Sequence, residues 1–484
     1  MRSFKTLNFT MRHSNIQLQT SVDRRTAWLC LVVPVALLFC GTLIIDFNGL
    51  YGQDSHAYFL FSRQLKTEWL TGIKTSFFFW PKGYPASGVV FSFFGFSMLW
   101  ALRIVSLLSL IGSLFMARSI IRLLWNKDGS LFLLLGAVSQ IYFVRAGFLV
   151  MSDMLTAFLV LAMIYAYLRF LRESSVRWLL AVFFFAAYAF FTRYACIPLL
   201  LIPILHTVIH WLKQQTPVLR WGISAIILGL AALFIFLNNN LLIESAYRMG
   251  NWSLGNFFAL EFVSRDGITS NTVPNVLYIF GNFLHIGFLG IGVLLLPFYR
   301  SMDKKSLHLL LIAGIYLLFL GGIETQNYRF LVMTHLIVLV ALFPAFDSCF
   351  EWLKKRKLIV PFVIGVLLFN TAFGVYSFRK MWAAHRLEKE VVKAVKAEER
   401  FETIYSFYVD QAFPSYGITN RVQNFFMKDY YTFEKGALVV FNETQFKDQW
   451  KNHRVMRNWN RLKTNYELDT LRCLTDNWII YRIK

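Results

Sequence analysis

Charge is scarce in this sequence, and negative charge is scarcer than positive. Of the 484 residues, 16% are charged and 57% are apolar. Lys and Arg number 49 against 27 Asp and Glu, a formal net charge of +22. Ordinary soluble proteins have about a quarter charged and about half apolar residues. The composition therefore excludes a typical water-soluble globule. In a membrane protein, the distribution of positive charge over the loops first indicates how the chain is oriented in the bilayer.

Cysteine is also rare. Of the five Cys residues, only Cys473 lies outside or away from the apolar stretches, and no pair has the spacing of a zinc or redox motif. These observations exclude a disulfide framework and a cysteine-based metal centre. The sequence has no internal repeat and no low-complexity segment either.

Long apolar runs are abundant. A membrane-spanning helix needs about 20 mainly apolar residues, and we predict eleven spans. They lie near residues 27–45, 100–124, 130–149, 154–171, 177–192, 194–212, 218–241, 273–298, 306–323, 329–350 and 358–378. The apolar stretch 83–98 is shorter, and it is interpreted either as a twelfth span or as a helix lying in the interface.

The charges of the loops orient these spans. With eleven spans, the basic N-terminus and the Lys- and Arg-rich loops fall on one side, which the positive-inside rule identifies as cytoplasmic. We therefore expect a polytopic α-helical membrane protein with a cytoplasmic segment 1–26, a transmembrane domain 27–378 and an extracytoplasmic domain 379–484. β-type runs and amphipathic pieces predict a small α/β fold for the last of these. The outer loops are 46–99, 150–153, 242–272 and 321–328.

The first outer loop carries the most informative residues. Asp54 begins an amphipathic segment that ends at Arg63. It can cap a helix, or it can take a proton from an acceptor hydroxyl or amine. His56 is a weak candidate metal ligand. Lys82 stands in a proline-rich turn, where it either snorkels to the interface or binds a lipid phosphate.

Several arginines on this outer side are not explained by the positive-inside rule. Arg145 precedes Asp153 closely, and the two either form a structural pair or take part in function, because charge beside hydrocarbon is costly. Arg193 occupies another short outer turn, and Arg329 begins a span. Several arginines around one membrane face indicate an anionic substrate.

This order of motifs resembles the GT-C glycosyltransferases. The similarity is to the bacterial branch with the lipid A aminoarabinose transferase, the protein O-mannosyltransferases and the smaller glycosyltransferases of the RgtA/B/C/D type. It covers about residues 27–345, and the tail resembles the periplasmic α/β domain of many members. The motifs that carry it are Asp54 to Arg63, Trp80 to Pro85, Asp153 and Thr192 to Tyr194.

The resemblance implies roles for these residues. Asp54 matches the catalytic base, and Asp153 matches a residue that shapes the sugar or acceptor site. Lys82 and Arg265 match cations that hold the donor's phosphate. The remaining candidate substrate-binding residues are Arg329 and Tyr328, which match a position near that phosphate, and Arg145, Arg193, Tyr194 and Arg63.

Two departures from the family concern a metal. Many relatives have two adjacent acids in the first loop, where this chain has Asp54 and Ser55, and some have an acid where Pro81 stands. Both departures weaken the case for a tightly bound metal. A divalent cation held by Asp54, His56 and Glu261 remains an open alternative, and no other cofactor is implied.

The expected function is an inverting glycosyltransferase that moves a sugar from a polyprenyl-phosphate donor to an acceptor at the outer face of the membrane. The acceptor is left open between a lipid, a glycan and a protein of the cell envelope, and the expected location is the bacterial inner membrane. The alternative is a transporter or flippase of a lipid-linked saccharide, which typically has broken helices near the bilayer midplane. Because the basic residues are spread over short loops, we expect no nucleic-acid partner.

Overall fold

The structure is a computed structural model that describes residues 22–74, 78–216, 252–264, 267–289 and 292–484. Most of its regular structure is helical, and a sheet is confined to the tail apart from one hairpin. In chain order the helices are α1 Val22–Ile44, α2 Gly52–Thr71, α3 Gly83–Ser92, α4 Met98–Trp125, α5 Ser130–Leu133, α6 Ile141–Ala146, α7 Asp153–Glu173, α8 Val176–Thr192, α9 Ile197–Lys213, α10 Asn275–Tyr278, α11 Gly281–Leu284, α12 Ile286–Leu289, α13 Lys304–Gly322, α14 Val332–Ala341, α15 Phe343–Lys355, α16 Ile359–Lys396, α17 Ala412–Ser415, α18 Glu443–Phe446 and α19 Arg454–Asn465.

Several of these helices are long and apolar enough to cross a membrane. Within the described ranges there are five, or six if one pair bent by 55° counts as a single span. The five are Met98–Trp125, Asp153–Glu173, Tyr194–Lys213, Lys304–Gly322 and Ile359–Lys396, and the bent pair is Tyr328–Ala341 with Phe343–Lys355. The predicted polytopic α-helical membrane protein is confirmed.

Within the described residues, fewer spans are found than the eleven that the sequence predicts. The span at 218–241 lies outside the described residues. The span at 130–149 is broken into α5, a π-helical turn Leu134–Val138 and α6. The span at 273–298 is divided among α10, α11, α12 and the 3₁₀-helical segment Gly292–Ser301. This segment contains several glycines and Pro297, and both residue types weaken a continuous helix.

The stretch 83–98 does not form a twelfth span. Its helix, α3, has ten residues and is therefore about 15 Å long, half of what the hydrocarbon core requires. Tyr84 anchors α3 to α4, because its hydroxyl lies 2.9 Å from Ser106 Oγ and 3.1 Å from the Leu102 carbonyl oxygen.

Helix α7 lies at the centre of the membrane domain. It packs against α4, α8, α9 and α14, and its residues are apolar or small on several sides, as is typical of a fully surrounded helix. Val160, Met163 and Ile164 are fully buried. The first residue of this rigid element is Asp153, so its carboxylate has a fixed position at one end of the bundle.

The tail contains a five-stranded sheet. Its strands are β3 Thr403–Ser406, β4 Arg421–Asn424, β5 Leu438–Phe441, β6 Leu468–Cys473 and β7 Ile479–Ile483, in the spatial order β4-β3-β5-β7-β6. β3 is parallel to β4 and β5, whereas β7 is antiparallel to β5 and β6. Trp459 of α19 and Trp478 are buried in the core beside it. The predicted α/β fold of the tail is confirmed.

One continuous helix joins the two halves of the molecule. α16 has 38 residues and is about 57 Å long. Val391 and Val395, near its end, belong to the core of the tail. The predicted domain boundary at 378/379 therefore lies within a helix and not in a flexible linker. A separate antiparallel hairpin, β1 Glu261–Ser264 and β2 Gly267–Ser270, lies in the loop 242–272, which the sequence predicts to be an outer loop.

Candidate active site

Helix α2 presents two polar faces to two different parts of the molecule. Residues three or four apart share one side of a helix. Gln53 and His56 form one such pair and contact the tail, whereas Asp54 and Tyr58 form the other and contact the ends of membrane helices. The helix begins after Tyr51, which makes no side-chain cap. Asp54 lies in the first turn, where the helix dipole favours a carboxylate.

A cluster of four charges lies at this end of the membrane domain. Arg329 Nη1 is 2.8 Å from Asp54 Oδ2, and Arg329 Nε is 3.3 Å from Asp153 Oδ2. Arg193 Nη1 is 2.9 Å from the other oxygen of Asp153. We call Asp54, Asp153, Arg193 and Arg329 the outer charge cluster. Arg329 joins the two carboxylates, so the cluster holds two acids and two bases from four distant segments.

Burial differs sharply between the two carboxylates. The Asp153 side chain is 1% exposed, and its arginine partners are 12% and 20% exposed. The Asp54 side chain is 31% exposed. Asp153 is therefore a buried anion that orients both arginines, whereas Asp54 is the carboxylate of the cluster that an external molecule can reach.

Neutral contacts hold this cluster in place. The Tyr58 hydroxyl lies 2.9 Å from Ser152 Oγ, directly before Asp153. The loop before α2 approaches the segment before α7, where the Val150 N–H donates to the Gly49 carbonyl oxygen at 2.9 Å. Gly49 has a φ of +88°, and a Cβ there would lie 2.9 Å from the Phe148 carbonyl oxygen. Only glycine fits this position without strain.

Arg145 lies beside the cluster but does not pair with Asp153, as one alternative from the sequence had it. Its guanidinium lies 4.1 Å from the ring centroid of Tyr142. Tyr142 in turn faces His285 and Tyr328, with centroid distances of 4.8 and 5.8 Å. Tyr142 and Arg145 both lie on α6, which follows the π-helical turn Leu134–Val138.

Other candidate residues are not brought into the cluster. Lys82 is exposed, and its Nζ lies 5.6 Å from the centroid of Phe61. Arg63 is exposed beside Phe59. Tyr194 packs against Phe190 at 5.0 Å. Arg265 lies outside the described residues, so its predicted role stays a prediction.

The predicted metal ligands do not come together in the part of the chain that the structure describes. Asp54 is bound to Arg329, His56 Nε2 is 3.1 Å from Glu388 Oε2, and Glu261 lies on the exposed hairpin. No group of three or more His, Cys, Asp or Glu in these ranges could hold a metal ion. These side chains do not fit a divalent cation, and no chemical step is derived through one.

The second face of α2 forms a seam with the tail, which we call the tail seam. His56 and Glu388 are both buried, with exposed side-chain fractions of 1% and 4%. Gln53 Nε2 donates to Asp410 Oδ1 at 2.9 Å, and Asn48 Nδ2 donates to the Tyr416 hydroxyl at 3.1 Å. Burial raises the pKa of the Asp410 carboxyl. The seam fixes the helix that carries Asp54 from the side opposite to the cluster.

Sequence reasoning missed Tyr58, Ser152, His285 and the tail seam. Tyr58 stands four residues after Asp54, and Ser152 directly precedes Asp153. Their spacing was therefore a usable signal for a shared site. Glu388 gave no such signal, because it lies in a helix whose Glu and Lys pattern is typical of a solvated surface.

Comparisons with known proteins agree with this architecture. Residues 87–237, just under a third of the chain, match a family model described as dolichyl-phosphate-mannose-protein mannosyltransferase. No curated protein matches the sequence. The fold is similar to the crystal structure of ArnT from Cupriavidus metallidurans in the apo state, with a TM-score of 0.57, 13% identity and coverage of 94% of this chain and 98% of that chain.

Two further solved structures are similar. ArnT from Cupriavidus metallidurans bound to undecaprenyl phosphate gives a TM-score of 0.60, 12% identity and the same coverage, 94% and 98%. The archaeal oligosaccharyltransferase AglB from Archaeoglobus fulgidus, in complex with an inhibitory peptide and a dolichol-phosphate, gives a TM-score of 0.45 and 11% identity over 83% of this chain and 65% of that chain.

Proposed function

From the GT-C fold of this chain, which the likeness to ArnT confirms, we propose that the protein is an inverting glycosyltransferase of the membrane. It transfers a sugar from a polyprenyl-phosphate donor to an acceptor of the cell envelope. One observation carries the proposal. A reachable carboxylate, Asp54, is fixed by Arg329 against a buried anion at the end of a helical bundle.

The reaction follows from this geometry. Asp54 takes the proton from the acceptor's nucleophilic atom, which forms a bond to the anomeric carbon as the bond to the phosphate oxygen breaks. The electron pair of that bond leaves with the lipid phosphate. A carboxylate is a weak base, so positioning contributes a large part of the rate. Asp54 is well suited to this because Arg329 on one side and the tail seam on the other restrict α2.

Fixed cations stabilise the phosphate that leaves. Arg329 and Arg193 are oriented by Asp153, so they need little rearrangement when negative charge develops. Arg145 adds a positive charge beside them, half-buried against Tyr142. Lys82 and Arg265 are further candidates for the phosphate of the donor. The family match and the undecaprenyl phosphate bound to ArnT support a lipid-phosphate donor for this chain.

The direct test is sugar transfer by the purified protein. Parent and Asp54→Asn proteins are incubated with a panel of radiolabelled polyprenyl-phosphate sugars and cell-envelope acceptors. Loss of a general base typically costs 10²- to 10⁴-fold, so we expect a fall in kcat of at least about 100-fold.

Asp46→Asn is the matched control, because it removes an acid of the same loop. Asp46 is 87% exposed and pairs with Lys389, and its φ of 55° suits Asn. We expect its activity to stay within about twofold of the parent value. Full activity of Asp54→Asn, with the same donor and acceptor, would refute the proposed base.

The broken segments at α5 to α6 and α10 to α12 favour a second candidate function. Both segments are predicted from the sequence as spans but are broken in the structure, and transporters of lipid-linked saccharides commonly contain broken helices. In this function the protein moves a lipid-linked saccharide between leaflets without transfer. Reconstitution into liposomes with a fluorescent lipid-linked sugar distinguishes the two, because only a flippase makes inner-leaflet probe accessible to an external quencher.

We place the N-terminus in the cytoplasm and the tail in the periplasm of a bacterial inner membrane, on the basis of the loop charges. A reporter active only in the periplasm, fused after Lys484, should be active. A fusion that is active only in the cytoplasm would reverse the assignment and put the outer charge cluster on the wrong face for this donor.

A further inference from the structure

A polar cavity of about 370 Å³ lies between the outer hairpin, the turn before Arg329 and the tail. Its volume is within the range of small-molecule sites. Among the described residues that line it, all except Ile268 carry a hydroxyl or an amide, and none carries a charge. The polar lining residues are Thr269, Ser270, Asn271, Thr325, Gln326 and Gln449.

The walls of this cavity are fixed by hydrogen bonds. Gln326 Nε2 donates to the Val273 carbonyl oxygen at 2.7 Å. Asn275 Nδ2 donates to the carbonyl oxygens of Gly321 and Ile323 at 3.1 and 2.8 Å. The turn is thus tied to the segment after the hairpin. A ligand therefore meets a preformed surface, and binding costs less free energy because these side chains and loops are already ordered.

The tail closes the cavity from the other side. The Ile268 N–H donates to the Gln449 carbonyl oxygen at 2.7 Å. Gly267 has a φ of +81°, and a Cβ there would lie 2.4 Å from that same oxygen. Glycine is therefore required for the hairpin to approach the tail this closely. The cavity exists only where hairpin, turn and tail meet.

One group in the lining points to a ligand. Asn271 Nδ2 is buried, and among the described residues it has no hydrogen-bond partner. A buried donor without an acceptor costs about 1–3 kcal/mol, so such donors are usually satisfied. Because this atom has almost no exposed surface, a hydroxyl group of a bound molecule would satisfy it only after the Asn271 side chain turns toward the cavity.

The lining determines the class of that molecule. A phosphate or other anion calls for cationic partners, and the described residues that line the cavity include none. An acyl chain calls for an apolar surface. Uncharged hydroxyls and amides can donate and accept with a polyhydroxylated ligand in several directions. Gln326 is three residues from Arg329, at most about 11 Å along the chain. Arg329 in turn binds Asp54.

We propose that this cavity is the acceptor subsite and that it binds a neutral saccharide. The inference rests on the proposed glycosyltransferase function and narrows its acceptor from a lipid, glycan or protein to a glycan. The saccharide lies between the hairpin and the tail, with the hydroxyl that reacts extending past Gln326 and Arg329 toward Asp54.

Saccharide binding by the full-length protein tests the proposal without requiring catalysis. Fluorescence polarisation in detergent is measured with labelled maltotriose, mannotriose, chitotriose and galactobiose, and also with a labelled trigalacturonate and a labelled Ser/Thr-rich peptide. We expect at least one neutral probe to bind in the millimolar range or tighter, and the trigalacturonate and peptide to bind at least tenfold more weakly. No binding of any neutral probe, or preferred binding of trigalacturonate or peptide, would overturn the proposal.

Two variants locate the binding site. Thr325→Val keeps the side-chain shape and removes the hydroxyl, and Asn271→Leu removes the unpartnered donor. Each should weaken binding of the preferred saccharide about tenfold. Thr470→Val, on the exposed face of β6, is the matched control and should bind like the parent. Parent-like binding by Thr325→Val and by correctly folded Asn271→Leu would overturn the assignment.

The two proposals can fail separately. Asp54→Asn should bind the saccharide like the parent protein, because Asp54 does not line the cavity. If Asp54→Asn transfers sugar normally while Thr325→Val loses saccharide binding, the proposed base is wrong and the subsite stands. If Asp54→Asn is inactive and Thr325→Val binds the saccharide normally, the proposed base stands and the subsite is wrong.

Discussion

Charged residues at the two ends of the membrane domain are arranged in opposite ways. At one end, the outer charge cluster joins residues from four distant segments, and Asp153 is almost completely buried. At the other end of α7, about 30 Å away, Glu173 pairs with Arg169 on the same helix and with Arg177 on α8. Each arginine is four residues from Glu173 in the sequence. Arg177 is 70% exposed.

This contrast separates structural charge from functional charge. An exposed pair between near neighbours in sequence costs little desolvation and contributes at most about 1 kcal/mol. A buried cluster carries a large desolvation penalty, so its presence calls for a reason other than stability. We infer that the charges near Glu173 keep this end of the helices in contact with water and help to orient the protein in the membrane. The charges near Asp153 are retained for substrate binding and for the proposed sugar transfer.

Removing Arg329 should have the largest effect of this series. In Arg329→Gln, Asp54 loses its charged partner and Asp153 keeps only Arg193. We expect sugar transfer to fall at least about 100-fold and the free energy of unfolding to fall by about 3 kcal/mol. Transfer assays and thermal unfolding in detergent measure both. If Arg329→Gln were as active as the parent, the charges near Asp153 would not differ in function from those near Glu173.

His56→Ala should have the next largest effect, on stability first. It leaves the Glu388 carboxylate buried without its partner, and we expect a loss of about 2 kcal/mol in unfolding free energy. The double variant His56→Ala/Glu388→Gln should recover part of that loss, because no buried acidic side chain is then left without its partner. If the effects of His56→Ala and Glu388→Gln were strictly additive in the double variant, His56 and Glu388 would not interact.

Asp410→Asn should stabilise the protein at neutral pH but not at acidic pH. Burial raises the pKa of Asp410 in the folded state, so folding favours the protonated form. This favourable contribution is present below the unfolded pKa near ~3.9 and is lost as the pH rises through the folded value. The variant, which cannot ionise, should unfold at a higher temperature than the parent at pH 7 and at the same temperature near pH 3. A variant that is less stable at pH 7 would contradict the sign.

Arg177→Gln should have the smallest effect. Its ion pair with Glu173 is exposed, and Glu173 keeps Arg169 and the indole N–H of Trp178 as partners. We expect unfolding free energy to change by less than about 0.5 kcal/mol and transfer to stay unchanged. A loss comparable to that of Arg329→Gln would show that position along α7 does not separate the two kinds of charge.

The sequence predicts the long spans well and the broken ones poorly. Helices α4, α7 and α13 follow from stretches of about 20 mainly apolar residues. The segments 130–149 and 273–298 are just as apolar, yet they are broken. Whether a π-helical turn or a glycine interrupts such a run depends on packing against neighbours, which composition does not encode.

The candidate site was predictable as a neighbourhood but not as a set of contacts. Motif order placed Asp54, Asp153, Arg193 and Arg329 on one membrane face, where the structure has them paired. It did not show that Asp153 pairs with Arg193 and Arg329 and not with Arg145, because that choice depends on how separate helices approach. The same limit hid Glu388, whose local charge pattern resembles that of any solvated helix.

The contact between His56 and Glu388 has a consequence for biosynthesis. The two residues are 332 positions apart, and ribosomes add 5–20 residues per second. The first outer loop therefore waits roughly 17 to 66 s for the partner that completes it. During that interval α2 is exposed on its tail-facing side, which makes this loop a natural client for a chaperone and a vulnerable site for proteolysis in a stalled or truncated nascent chain.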